Sequence, residues 1–310
     1  MSFMSATMGS APGEESSGRG ILLGMRCETT ADPATMWDLA SSFLLAHPVP
    51  NNVLVTNIAA RRDGAVSDPA PATYAVVLDE AGRVVGAAMR TPPRAIVVSP
   101  MPAGAVPPLV EALARACPDA RGVGGPATEA EAFATAWSAR TGGGVVVERR
   151  ERMYRLDAVA VPAPPGGRLR LAEGADRDLL VAWYREFEVE VGLPRSDDAP
   201  AEIEWRTADG RIFVWDDGGA VSFASATRPE GGVVRIGPVY TPPDRRGRGY
   251  ASAMVAAMSQ RALDAGAACC MLYTDLANPT SNRIYMHVGY RPIGDVTAYG
   301  FTSAGGTTAG

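Results

Sequence analysis

Residues 239–252 read VYTPPDRRGRGYAS. An apolar, strand-like run enters this stretch and a long helical run leaves it. Pro242 and Pro243 stop the strand, because proline has no N–H to give to a sheet ladder. Gly247 and Gly249 permit backbone torsions that other residues resist. Arg245, Arg246 and Arg248 crowd three guanidinium groups at the turn. A strand, a glycine turn and a helix start together make an anion cradle. The first N–H groups of a helix have no partner within it, and the helix dipole adds partial positive charge there. Guanidinium groups can clamp phosphate oxygens in pairs. The expected ligand is a pyrophosphate; the plainer alternative is a solvated basic turn that caps the helix. A dinucleotide-binding turn fits less well, because the third glycine of GxGxxG, counted from Gly247, falls on Ser252.

Outward from this turn, the second half of the chain alternates strands and helices. A short strand is expected at 169–171, a helix at 174–191 and a second at 197–206. Strands follow at 211–215, 220–227 and 233–240. The helix after the turn runs to about residue 265 and is stopped by Gly266. An apolar strand at 268–274, a helix at 279–288 ended by Gly289 and a strand at 290–299 complete the half. The first half shows a compatible order: a helix at 34–46, strands at 73–78, 84–89 and 95–99, helices at 107–116 and 129–140 around a glycine-rich stretch, and a strand at 145–156. Between the halves, residues 158–167 read AVAVPAPPGG, an uncharged proline–glycine linker. Such an order argues a layered α+β or α/β fold.

Composition narrows the chemistry. The 29 basic residues are all arginine, and the sequence contains no lysine. Schiff-base enzymes, a Walker phosphate loop and a protein kinase each need a lysine amine and are excluded in their usual form. Two histidines, His47 and His287, and four cysteines, Cys27, Cys117, Cys269 and Cys270, offer no zinc-type spacing, so no metal is expected. The cysteines read as buried, reduced thiols of a cytoplasmic protein. A net charge of -5 argues against a general nucleic-acid footprint. No apolar run is long enough to span a bilayer. Residues 1–20 are rich in Ser, Gly and Ala and read as a disordered leader, not a signal peptide. The expected organisation is therefore a leader at 1–20, domains at 21–157 and 168–310, and the linker at 158–167 between them.

Arg246-x-x-Gly249-x-Ala251 resembles the R/Q-x-x-G-x-G/A signature of the GNAT superfamily of N-acetyltransferases. Downstream, Asn278, Ser281, Tyr285, Gly289 and Tyr290 fall at the spacing of that family's second signature. The resemblance covers about residues 168–301. It implies a mixed sheet flanked by helices, with the fourth and fifth strands of the C-terminal lobe splayed apart, and acetyl-coenzyme A as cosubstrate. Carried over, Val239, Tyr240 and Thr241 would meet the pantetheine. The stretch Arg245, Arg246, Gly247, Arg248, Gly249, Tyr250 and Ala251 would hold the pyrophosphate. Asn278 and Asn282 would contact the pantetheine side. Tyr285 would lie near the thioester sulfur as general acid, since a phenol stays protonated at neutral pH.

Many members of the family place a glutamate on the fourth strand, and residues 233–240 carry no acid. Glu186, Glu188 and Glu190, on a helix expected to line the acceptor cleft, are the alternatives for a base or for acceptor binding; a solvated helix face is their plainer reading. The first half has no arginine–glycine turn: residues 99–106 read SPMPAGAV. It is expected to be a degenerate GNAT-like lobe, making the chain a tandem of acetyltransferase-like lobes in an α+β fold. The leading function is acetyl transfer to the amine of a small molecule or peptide. The alternative is an acyl-coenzyme A sensor or scaffold with little turnover. No nucleic-acid or membrane partner is expected, and a homodimer is left open beside the monomer.

Overall fold

The computed structural model describes residues 24–66, 68, 70–160, 165–193 and 198–303. The expected leader at 1–20 lies outside these residues, as do positions 161–164 of the linker. The first half contains β1 (Arg26–Thr30), α1 (Pro33–Ala46), α2 (Asn52–Arg62), β2 (Thr73–Leu78), β3 (Val84–Arg90), β4 (Ile96–Val98), α3 (Val106–Ala116), β5 (Gly122–Pro126), α4 (Ala127–Thr141) and β6 (Gly144–Leu156). The second contains β7 (Arg168–Leu171), α5 (Arg177–Glu190), α6 (Ala199–Ala208), β8 (Ile212–Asp216), β9 (Ala220–Ala226), β10 (Val233–Tyr240), α7 (Tyr250–Asp264), β11 (Cys269–Asp275), α8 (Pro279–Val288) and β12 (Arg291–Thr302). Both halves follow one order, β-α-α-β-β-β-α-β-α-β. A 3₁₀ turn leads toward the third helix of each, at Ala103–Ala105 and at Pro243–Arg245.

Three elements of the first half were not expected from sequence. The segment forming α2 is rich in β-branched Val53, Val55, Thr56 and Ile58, which lowers its local helix preference. Burial of Leu54, Val55, Ile58 and Ala59 outweighs that preference. β1 is a short, largely exposed edge strand. β5 carries three glycines in GVGGP and becomes a strand because β4 and β12 flank it on both sides.

The twelve strands of the described residues form one sheet in the order β1-β2-β3-β4-β5-β12-β6-β11-β10-β9-β8-β7. Pairing is antiparallel except for β4 with β5 and β10 with β11. The last strand of each half has changed places. β12 lies against β5 of the first half, and β6 lies against β11 of the second. β6 and β12 then pair with each other from Gly144↔Thr302 to Arg155↔Arg291. The middle of the sheet is thus a reciprocal exchange, and neither half owns all the strands beside its own fifth strand.

Side-chain alternation gives each strand two faces. In the first half Tyr74, Val76 and Leu78 pack under α1 and α2, while Ala75 and Val77 pack under α3 and α4. In the second, Phe223 and Tyr240 pack under α5 and α6, while Ala224, Val234 and Ile236 pack under α7 and α8. The halves meet in a small shared core of Val49, Met153, Val233, Cys269 and Met271.

Candidate active site

β10 and β11 run parallel and pair only at Val233↔Cys269, Val234↔Cys270 and Arg235↔Met271. Beyond that point each follows its outer neighbour. Ile236, Val239 and Tyr240 pair with β9, with a bulge between Ile236 and Val239. Leu272 to Asp275 pair with β6. Pro238 has no N–H to offer across the opening. A wedge-shaped gap therefore opens in the sheet between residues 236–240 and 272–275, as the splayed strands of the expectation require.

The loop after β10 leads to the mouth of this gap. Gly247 and Gly249 have φ of 77° and 84°, a left-handed conformation that glycine adopts without cost. Gly249 is the N-cap of α7, and no side chain caps that helix. The first helical bond is Ala253 N–H to Gly249 O, so the amides of Gly249, Tyr250, Ala251 and Ser252 are left open by helix geometry. Residues 243–249 are exposed. Open amides and the helix dipole meet at the start of α7, and the loop leading into it carries Arg245, Arg246 and Arg248.

The side chains of this loop have uses of their own. Arg246 donates from Nε to Thr241 O at 2.8 Å and pairs through Nη2 with Glu190 Oε2 at 2.5 Å. It also lies 5.8 Å from the centre of the Tyr240 ring. Arg246 thus braces the loop against β10 and α5, in contrast to a freely offered phosphate clamp. Arg245 pairs with Asp244 at 3.1 Å. The Tyr250 side chain turns into the core and donates to Asp217 Oδ2 at 2.6 Å; only its backbone faces the cradle. Ser222 Oγ donates to Tyr240 O and shares a hydrogen with Thr241 Oγ1, fixing the strand end.

Tyr285 lies on α8 and is 9% exposed. Its ring meets Tyr154 at 6.4 Å and Tyr290 at 6.2 Å between centroids. Burial pushes its phenol up to about 12. Among the described residues its hydroxyl has no hydrogen-bond partner, unlike that of Tyr290, which meets Ser259 at 2.8 Å. Asn278 caps α8, its Oδ1 accepting from Ser281 N–H at 3.0 Å. Asn282 is occupied on both sides of its amide. Its Oδ1 accepts from Tyr154 at 2.7 Å, and its Nδ2 donates to the carbonyls of Asp275 and Asn278 at 2.9 and 2.7 Å.

The three glutamates of α5 diverge in role. Glu186 is exposed and accepts from the Tyr240 hydroxyl at 2.7 Å. Burial, then the bond and charge of Glu186, raise that phenol well above its usual range. An acid missing from β10 itself is thereby presented at the end of β10 from the helix above. Glu188 is 3% exposed. Glu190 is the partner of Arg246.

Residues 178–290 match the model of the acetyltransferase (GNAT) family. Over these residues the second half of the chain is similar to the GNAT acetyltransferases. The fold of both halves is shared with a GNAT acetyltransferase from Colwellia psychrerythraea, at TM-score 0.55 and 10% identity over 90% of this chain and 99% of that one. It is shared also with a GCN5-related N-acetyltransferase from Sphaerobacter thermophilus, at 0.57 and 15% over 89% and 94%. A tandem GNAT protein from the clavulanic acid biosynthesis pathway aligns at 0.56 and 17% over 91% and 99%. No curated protein matches the sequence. The two halves are tandem GNAT folds.

The first GNAT fold has closed its version of the site. At the start of α3, Ala105 N–H donates to Pro102 O and Val106 N–H to Ala103 O. The next two residues, Pro107 and Pro108, have no N–H. All four donors that stand open on α7 are used or deleted here. The strand gap is shut as well: a Cβ on Gly125 of β5 would lie 2.6 Å from the Val98 side chain and 2.7 Å from its carbonyl.

Sequence reasoning missed Tyr154. It belongs to β6 of the first half, yet its side chain contacts Asn282 and Tyr285 in the GNAT domain of the second. A tyrosine in the run RMYRL carries no local sign of that role, because the contact exists only through the strand exchange.

Proposed function

We propose that this protein is an acetyl-coenzyme A-dependent N-acetyltransferase acting on the amine of a small molecule or peptide. The observation that carries the reading is the set of open amides at Gly249 to Ser252 at the mouth of the β10–β11 gap. It offers a pyrophosphate group its donors, and the gap gives an extended pantetheine arm a path toward Tyr285. Acetyl-coenzyme A supplies the activated acyl group.

Within this reading the chain's own groups divide the work. Arg246 holds the loop so that the amides converge. Arg245 and Arg248 add positive charge at the rim, where anionic substrate arrives. Tyr285 keeps its proton through the neutral range and presents an O–H to the leaving sulfur. Glu186, hydrogen-bonded to Tyr240 beside the gap, is the best-placed carboxylate to take the amine's proton directly or through water. Asn278 and Asn282 act by fixing the start of α8 and so the position of Tyr285. The first lobe, residues 21–157, serves as scaffold and binds no coenzyme. Among the described residues no helix is long and apolar enough to cross a membrane, and we assign the enzyme to the cytoplasm.

Thiol release from acetyl-coenzyme A over a panel of amines tests the reading. Amine-dependent release, reduced in Tyr285→Phe with coenzyme affinity unchanged, supports it. Tight coenzyme binding with no release on any amine would make the protein a sensor.

A further inference from the structure

The face of the sheet covered by α5 and α6 carries a guanidinium that, among the described residues, has no counter-charge. Arg235 lies on β10, two residues before Gly237 at the bulge, in register with Met271 of β11. It shares its face with Val233 and Tyr273, in the seam where the two halves meet. Its Nη1 donates to Asn52 Oδ1 of α2 at 2.9 Å. That partner is neutral. Among the described residues no carboxylate pairs with Arg235, and its Nε and Nη2 meet no acceptor. Burial presses its guanidinium below its usual range, and the charge of Arg206 adds to that.

Three other sheltered arginines of this chain are treated differently. Arg90, 5% exposed, holds both oxygens of Asp119 at 2.7 and 2.8 Å. Arg61 is paired with both oxygens of Asp68. Arg206, near Arg235, is neutralised by Glu202 and donates to Ser225 Oγ at 3.0 Å. The surroundings of Arg235 are instead rich in donors. Asn52 is fully buried and its Nδ2 has no partner; Arg206 Nε is likewise buried and unpartnered. A sheltered cation next to orphaned donors is costly unless an anion completes it.

The seam is also connected to the gap. Arg206 Nη1 bonds Ser225 Oγ, which donates to Gly237 O at 2.8 Å, at the bulge where the sheet opens. Two residues of strand separate Arg235 from Gly237, about 7 Å at ~3.3 Å per residue. We propose that Arg235 recognises an anionic group of the acceptor, and that the acceptor is an amine that also carries a carboxylate. The proposal rests on the acetyltransferase reading above. With the carboxylate on Arg235, the amine reaches the bulge beside Glu186 and Tyr240, and α2 of the first lobe becomes one wall of the acceptor site. The silent lobe then contributes directly to recognition, because it supplies Asn52, which aims the guanidinium.

The test compares glycine, γ-aminobutyrate and 6-aminohexanoate with their carboxamides as acceptors for the full chain. The wild type is expected to favour the acid over the amide by about tenfold or more in kcat/KM for at least one length, the scale of one charge-assisted hydrogen bond. Arg235→Gln should bring that ratio near one while leaving the KM for acetyl-coenzyme A unchanged. Should Arg235→Gln fail to fold, Asn52→Asp gives the guanidinium an internal carboxylate and is expected to erase the same preference. Equal wild-type rates on acid and amide overturn the proposal even if the enzyme is active. If no amine is turned over, the acetyltransferase reading fails. Calorimetric binding of the same acids and amides then decides the subsite: acids bound about tenfold more tightly support it, and equal affinities overturn it.

Discussion

The hydroxyl of Tyr154 donates to Oδ1 of Asn282 at 2.7 Å, and the two residues come from opposite halves of the chain. Tyr154 sits on β6, the strand that the first half lends to β11. Asn282 sits on α8, one turn before Tyr285. The strand exchange thus ties α8, the helix of the proposed general acid Tyr285, to the first lobe.

Tyr154→Phe tests that tie. It leaves the ring contact with Tyr285 but strips Asn282 Oδ1 of its donor. An unpaired, sheltered acceptor costs roughly 1–3 kcal/mol. The denaturation midpoint should fall accordingly, and turnover should drop more than coenzyme affinity, since the cradle at Gly249 is untouched. Unchanged turnover would mean that α8 is set by its own cap at Asn278.

Gly249→Ala separates the cradle from the core. An added Cβ finds no atom closer than 4.0 Å, at Pro165, so the cost is the left-handed backbone alone, roughly 1–2 kcal/mol. Coenzyme affinity should fall about tenfold or more as the amides re-aim, a loss readable by calorimetry on folded protein. Retained affinity would show that the amides are not the phosphate site.

Arg246→Ala probes the brace. Its ion pair with Glu190 is about half exposed, with side-chain accessibilities of 44% and 45%, and pairs of that kind contribute roughly 0–1 kcal/mol. Melting should hardly change, whereas coenzyme binding should weaken, more so than in Arg245→Ala. Equal effects of the two variants would reduce Arg246 to one rim charge among several.

The pH dependence of Tyr285 has a defined sign. Burial raises its folded value to about 12 from an ordinary 10.0. The acid form therefore persists above pH 10, and no loss of rate from its ionisation is expected below that. Its contribution to stability is fully present below about pH 10 and is lost as pH rises toward 12, because the unfolded chain ionises first. Tyr285→Phe should flatten part of the alkaline fall in stability, measured as unfolding midpoint against pH.

The residues that were legible in the sequence act locally. Gly247 and Gly249 announce the turn by their own torsional freedom, and Tyr285 stands at a fixed helical spacing from Asn278. The lack of an arginine–glycine turn in the first lobe could also be read from residues 99–106, whereas the loss of two amides at Pro107 and Pro108 needed the helix start to be placed. What sequence did not reveal is non-local. Nothing in the run containing Tyr154 says that β6 pairs with β11, and nothing around Arg235 says that Asn52, 183 residues away, is its partner. The ion pair of Arg246 with Glu190 is hidden for the same reason: pairing across elements depends on packing, not on spacing.

Calorimetric titration with acetyl-coenzyme A tests the central claim most directly, that one lobe of this tandem holds the cosubstrate and the other has closed its site. The expected result is one molecule bound per chain, with binding strongly weakened in Gly249→Ala and unchanged when Val98 of the first lobe is replaced by Ala. Two molecules per chain, no binding, or binding indifferent to Gly249→Ala would contradict it.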